Sequence, residues 1–77
     1  MTYDEADKLA AIIAVVDGGC SVCVRSATER LMRDFPEIEW KPLLKAEAKK
    51  RDQYWVNEVD LWEAAEAERP HWDSDLA

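Results

Sequence analysis

The stretch "PLLKAEAKKRDQYWVNEVDLWEAAEAER", residues 42–69, decides the fold class of this chain. Pro42 suits the first turn of a helix, and neither glycine nor proline recurs before Pro70. The apolar residues form a stripe close to heptad spacing: Leu44, Ala48, Trp55, Val59 and Trp62. The pattern predicts one continuous third helix over about 42–69, roughly 40 Å long at the usual rise per residue. Such a helix would leave no residues in the second half of the chain to complete a sheet.

A first helix is predicted over about 3–17. Thr2 and Glu5 have the spacing of a capping box, and apolar residues at helical intervals follow them. Gly18 and Gly19 can adopt the left-handed conformation that ends a helix. The alternative reading makes the β-branched run "IIAVV" a buried strand.

A second helix is predicted over about 20–35, because apolar residues recur every three or four positions and Pro36 stops the pattern. Residues 36–42 lie between two prolines and are expected to form a short extended connection. The tail, 70–77, is expected to be flexible. The sequence thus predicts a single all-α domain, 1–77, of three helices with a long C-terminal one.

Composition and charge narrow the classes of function. The 77 residues are 48% hydrophobic and carry a net charge of −7, which fits one small folded domain. An acidic surface repels phosphates, so direct nucleic-acid binding is not expected, whereas a basic or nucleic-acid-binding protein would be a suitable partner. No secretory signal or membrane span is recognisable, so we expect a cytoplasmic protein whose thiols are reduced.

The charges of the predicted third helix oppose its dipole, which prefers acids first and bases last. Basic residues crowd its beginning: Lys41, Lys45, Lys49, Lys50 and Arg51. Acidic residues crowd its end: Glu58, Asp60, Glu63, Glu66 and Glu68. Two such helices packed antiparallel would pair each basic half with an acidic half, which predicts a homodimer through this helix.

Aromatic residues on the same helix are candidates for partner binding, since aromatic side chains are enriched among the residues that carry binding energy. The predicted partner-binding residues are Tyr54, Trp55, Val59 and Trp62. The alternative is that these aromatic side chains fold back onto the first two helices and belong to the chain's own core.

The motif "DGGCSVC", residues 17–23, places Cys20 and Cys23 at the start of the second helix. Both cysteines lie on or near its apolar face, so they are candidates for buried core thiols. A thiolate at a helix N-terminus is also stabilised as a nucleophile, and a second thiol three residues later can resolve a mixed disulfide. Cys20 and Cys23 are therefore the candidate catalytic pair of a redox alternative.

The same pair offers two zinc ligands, whereas a closed structural zinc site needs four. His71 is the single histidine and Asp73 is the carboxylate nearest to it in sequence, so a site of two cysteines, His71 and Asp73 would need the tail to return to the second helix. Two chains sharing their cysteine pairs would supply four thiolates. We expect no cofactor, with zinc as the alternative.

The segment "VVDGGCSVC…RLMRD…EIEWKPL" resembles the N-terminal part of the DCC-type thiol–disulfide oxidoreductases, a thioredoxin-like family. The resemblance covers about residues 15–44. It implies that Cys20 is the attacking thiol and Cys23 the resolving thiol, with Asp17 and Gly18 matching the motif. It also implies an alternative fold, a truncated thioredoxin-like α/β domain.

These observations predict a non-catalytic, cytoplasmic interaction or regulatory module, of the kind that bacteria and phages encode in short reading frames. It would bind a partner or itself through the long aromatic helix. The alternatives are a minimal dithiol oxidoreductase and a zinc module built on the cysteine pair. The sequence contains no recognisable phosphate-binding loop, Ser/His/Asp set or paired-carboxylate site.

Overall fold

The computed structural model describes residues 1–66, which form helices joined by short turns. In chain order the elements are α1 (Tyr3–Ile13), a 3-10 turn (Val16–Gly19), α2 (Ser21–Asp34), α3 (Trp40–Lys50) and a C-terminal 3-10 helix (Tyr54–Leu61). The all-α prediction is confirmed, because residues 1–66 contain no strand. Neither the strand alternative for "IIAVV" nor the truncated thioredoxin-like fold is present in this part of the chain.

Helix α1 begins with the predicted capping box. The Glu5 amide donates to Thr2 Oγ1 at 3.2 Å, and the Thr2 amide donates to Glu5 Oε1 at 2.9 Å. Ala6 and Ala10 are fully buried, and their small side chains let α1 pack closely against α3. The helix ends at Ile13, earlier than the predicted 17, because the chain leaves helical geometry before the glycines are reached.

Helix α2 lies within one residue of its predicted bounds, 20–35, at both ends. It ends at Asp34, two residues before Pro36, as expected because a proline ring clashes with a helical residue that precedes it. Its buried face contains Val24 and Thr28, whose hydroxyl donates to the Val24 carbonyl at 2.7 Å.

The continuous helix predicted over 42–69 is wrong, since α3 ends at Lys50 and the chain turns back on itself. Asp52 adopts a left-handed φ of 53°. Its amide donates to the Lys49 carbonyl at 3.3 Å, and the Gln53 amide donates to the Ala48 carbonyl at 2.9 Å. These two bonds form a Schellman motif with aspartate at the position that glycine usually occupies. Aspartate tolerates this conformation, so the helix ends without glycine or proline.

The C-terminal 3-10 helix folds back and packs against α3. Trp55 and Val59 of this helix, and Trp62 just after it, are buried, and the two indole rings stack with their centroids 5.7 Å apart. Lys45 of α3 pairs with Asp60 at 3.0 Å. The sequence predicted that the basic half of one chain would pair with the acidic half of another. At Lys45 and Asp60 this pairing occurs within one chain.

Residues 62–66 continue along α2 without regular structure. The Ala65 amide donates to the Glu29 carbonyl at 3.0 Å, and the Glu63 amide donates to the Glu29 carboxylate at 2.9 Å. Arg33 donates to the Glu66 carbonyl at 3.0 Å. These bonds hold the segment against the second half of α2.

One buried core unites these elements. Its hydrophobic members are Ala6, Ala10, Ile13, Ala14, Val24, Ile38, Trp40, Leu44, Ala48, Trp55, Val59 and Trp62. Glu47 is the buried acid among residues 1–66. It pairs with Arg51, four residues further along, and with Lys50 at 3.4 Å.

Candidate functional site

The two cysteines lie together where α2 begins. Cys20 is the N-cap residue, with extended backbone angles of φ −60° and ψ 124°, and Cys23 lies in the first turn. Both are free thiols, and both are half-buried rather than part of the buried core. The sequence prediction that they lie near the apolar face is compatible with this position, but the thiols remain partly open to solvent.

A left-handed turn precedes the cysteines and brings a carboxylate to them. Asp17, Gly18 and Gly19 have consecutive positive φ angles of 51°, 72° and 84°. Through this turn Asp17 returns toward α2, where Cys23 Sγ donates to its Oδ2 at 3.4 Å. The sequence motif contains Asp17, but its contact with Cys23 does not follow from the sequence, because the contact depends on the turn.

Gly19 connects this turn to the rest of the fold. Its carbonyl accepts a hydrogen bond of 3.0 Å from Trp55 Nε1, which is fully buried on the C-terminal 3-10 helix. A Cβ at Gly19 would lie 2.6 Å from Gln53 Nε2, and the φ angle of 84° disfavours any side chain there. The C-terminal 3-10 helix, through Trp55, therefore fixes the turn that carries Asp17 and leads into Cys20.

The two thiols have different electrostatic surroundings. Cys20 makes no N-cap hydrogen bond through its side chain, yet the backbone amides of Cys23 and Val22 face its sulfur and lower the pKa of the thiol. For Cys23, the hydrogen bond to Asp17 and then the contact with Cys20 raise the pKa to about 11. The arrangement therefore makes Cys20 the more acidic and Cys23 the less acidic of the two thiols, so that Cys20 ionises first as the pH rises.

An open cleft of about 320 Å³ adjoins the start of α2 and is lined by Ser21, Arg25, Glu58, Leu61 and Trp62. Leu61 is 76% exposed at this cleft, and Val22, between the two cysteines, is 69% exposed. Two large apolar side chains near the start of α2 are therefore open to solvent.

Asp17, Cys20 and Cys23 also form a group of metal-ligand type. Their ligand atoms all lie within 4.8 Å of one another. The other zinc ligands considered from the sequence, His71 and Asp73, lie outside the described residues. Within residues 1–66, Asp17 is therefore the residue that could serve as a third ligand beside the cysteine pair.

The predicted partner-binding residues are mostly inside the fold. Trp55, Val59 and Trp62 are buried, whereas Tyr54 is 72% exposed. The prediction that all four project from a continuous helix is corrected, because that helix breaks at Asp52 and three of the side chains pack into this chain's own core. The alternative that these side chains fold back into the chain's own core describes them better, although they pack mainly against α3 and the Gly19 turn rather than against the first two helices.

No helix among residues 1–66 combines the length and the apolar character needed to cross a bilayer. Comparison of the chain with protein families, curated proteins and solved structures found no match in any of the three.

Proposed function

We propose that this protein performs thiol–disulfide exchange in the cytoplasm, with Cys20 as the attacking thiol and Cys23 as the resolving thiol. The observation that carries the proposal is the position of Cys20 at the positive end of α2, with Cys23 one turn further along the same helix. The resemblance of residues 15–44 to the DCC-type oxidoreductases supports the same pair and the same order of attack.

The exchange takes two steps. The Cys20 thiolate attacks a disulfide of the partner protein, which forms a mixed disulfide with Cys20 and releases one partner thiolate. Cys23 then loses its proton and attacks Cys20 Sγ, which forms the Cys20–Cys23 disulfide and releases the second partner thiolate. The partner disulfide gains two electrons and the dithiol loses two, so a second reductant is needed for turnover.

Asp17 supports the second step. Its Oδ2 accepts a hydrogen bond from the Cys23 thiol, with 3.4 Å between sulfur and oxygen. The bond keeps Cys23 protonated while Cys20 attacks, and the carboxylate is placed to receive the proton when Cys23 attacks in turn. Asp17 is thus a positioning residue for the resolving thiol. Removing its charge is expected to lower the pKa of Cys23 and to leave the attack by Cys20 in place.

Disulfide closure requires no sheet. Residues three apart on a helix have Cβ atoms about 5–6 Å apart, whereas a disulfide requires about 3.5–4.5 Å. Cys20 has extended rather than helical angles, so it can move toward Cys23 without unwinding α2. An all-α frame is therefore compatible with closure of this pair.

The test is insulin reduction by the full chain, with dithiothreitol as the second reductant. Wild type should accelerate the reaction, Cys20→Ser should abolish the acceleration, and Cys23→Ser should form a stable mixed disulfide with a small disulfide such as oxidised glutathione. The matched control is Ser26→Cys in a chain that lacks both native thiols, since Ser26 is exposed on α2 away from its N-terminus. If this control reacts as fast as Cys20, the position at the helix end has no effect and the proposal fails.

A non-catalytic interaction function is the second candidate, with a smaller surface than the sequence indicated. Tyr54 and Leu61 are large, exposed side chains on the C-terminal 3-10 helix, which also carries the exposed acid Glu58. They would contact a basic protein partner or a second copy of this chain. Sedimentation at high micromolar concentration tests self-association: a dimer that Tyr54→Ala and Leu61→Ala together dissociate supports it, and a strictly monomeric wild type excludes it.

A further inference from the structure

The group formed by Asp17, Cys20 and Cys23 has the chemistry of a metal site as well as that of a dithiol. Two sulfur ligands and one carboxylate oxygen suit a thiophilic cation, because thiolates favour zinc over the oxygen-seeking calcium and magnesium ions. The carboxylate reaches the thiols from the left-handed turn, and the thiols come from α2, so two separate elements supply the ligands.

The spacing of the ligand atoms fits a tetrahedral zinc ion. Zinc lies about 2.3 Å from a sulfur ligand and about 2.0–2.2 Å from an oxygen ligand. At a tetrahedral angle, a sulfur and an oxygen bound to the same ion are therefore about 3.5 Å apart. Sγ of Cys23 and Oδ2 of Asp17 lie 3.4 Å apart. The sulfur of Cys20 lies within 4.8 Å of both, so a side-chain rotation brings it to the same ion.

The surroundings favour binding at this point. The start of α2 is the positive end of a helix dipole, which stabilises the negative charge of two thiolates and a carboxylate around one dication. Asp17 is exposed and both cysteines are half-buried, so an ion can reach the ligands from solvent. Among residues 1–66 no fourth His, Cys, Asp or Glu ligand atom belongs to the group.

We infer that Asp17, Cys20 and Cys23 form a zinc site with three protein ligands and one open coordination position. Binding displaces a proton from each thiol, and no electron is transferred. The open position would hold water or an incoming thiol, as in zinc sites that act on a ligand rather than support a fold. Zinc loading and disulfide exchange exclude each other, because both use the Cys20 and Cys23 sulfurs.

The experiment is a titration of the reduced, full-length chain with Co²⁺, followed by displacement with Zn²⁺. One Co²⁺ per chain should produce thiolate-to-cobalt charge-transfer absorption and the visible bands of a four-coordinate ion. Asp17→Asn should weaken Co²⁺ binding by at least the roughly 10- to 100-fold that loss of an outer-shell partner causes. Asp52→Asn is the matched control, because Asp52 has the same left-handed backbone (φ 53° against 51°) and lies outside the ligand group.

Unchanged affinity in Asp17→Asn would overturn the three-ligand site. Half a cobalt ion per chain, together with dimer formation, would replace it with a shared four-thiolate site. If His71→Ala loses as much Co²⁺ affinity as Asp17→Asn, His71 is a fourth protein ligand, and the inference of an open coordination position is wrong. Cobalt binding without insulin reduction would reject only the exchange function, and insulin reduction without cobalt binding would reject only the zinc site.

Discussion

Replacement of Trp55 by phenylalanine tests how the folded-back segment holds the Gly19 turn. The indole is fully buried, and its N–H donates to the Gly19 carbonyl at 3.0 Å. Phenylalanine retains an aromatic ring but removes the donor and part of the apolar volume. The variant therefore breaks the hydrogen bond between the C-terminal 3-10 helix and the turn, while the surrounding residues stay the same.

The expected cost has two parts. A buried carbonyl that loses its partner costs about 1–3 kcal/mol. The smaller ring gives up roughly 40–50 Å² of buried apolar surface, worth about 1 kcal/mol. The sum is about 2–4 kcal/mol, a large share of the roughly 4–12 kcal/mol expected for a chain of this length. Urea denaturation followed by circular dichroism should show a lower midpoint with an unchanged slope.

Trp62→Phe is the matched control. Trp62 is also buried and stacks on Trp55, but it makes no hydrogen bond to the turn. The difference between the two variants isolates the bond to Gly19, and Trp55→Phe should be less stable by about 1–3 kcal/mol. Equal losses in the two variants would refute the reasoning, as would a loss in Trp55→Phe below about 0.5 kcal/mol, the range of ordinary surface substitutions.

The remaining predictions concern single residues. Asp52→Gly should raise the free energy of unfolding by about 0.5–1 kcal/mol, because glycine adopts the left-handed conformation without strain, whereas Asp52→Val should lower it; urea midpoints measure both. Iodoacetamide should modify Cys20 at lower pH than an ordinary thiol, because nearby amides lower its pKa, and Cys23 should resist until pH approaches its pKa of about 11, as peptide mass mapping across pH will show. Burial opposes ionisation of Glu47, but Arg51 and Lys50 outweigh it and lower the Glu47 pKa. Ionised Glu47 therefore stabilises the fold above about pH 4.5, and this stabilisation is lost as the pH falls through the lower pKa of the folded state. In an acid titration of stability, Glu47→Gln should not show this loss.

Local signals in the sequence predicted the first half of the fold well. The capping box at Thr2 and the proline after α2 act within a few residues, so their consequences follow from the adjacent chain alone. The extent of α1 was less predictable. It depends on where the left-handed turn begins, and that turn is held by Trp55, 36 residues away along the chain.

The break at Asp52 shows what periodicity does not determine. The apolar stripe from Leu44 to Trp62 identified residues that are buried, and its members do lie in the core. The same spacing is compatible with one rod and with two antiparallel segments, because it states which side chains are buried and not whether the helix axis continues. A rod would have exposed Trp55 and Trp62 unless a partner covered them. Folding back buries them within one chain, and aspartate tolerates the required left-handed angle.

The fold-back also explains how residues 1–66, which contain no sheet, position a cysteine pair. In this structure Trp55 binds the Gly19 carbonyl, the turn from Asp17 to Gly19 leads directly into Cys20, and Asp17 contacts Cys23. The sequence showed the cysteine motif and the aromatic stripe as separate features, yet the hydrogen bond joins them. Reactivity at Cys20 should therefore depend on the integrity of the C-terminal 3-10 helix. Slower iodoacetamide modification of Cys20 in folded Trp55→Phe, with Trp62→Phe unaffected, is the result that this coupling requires.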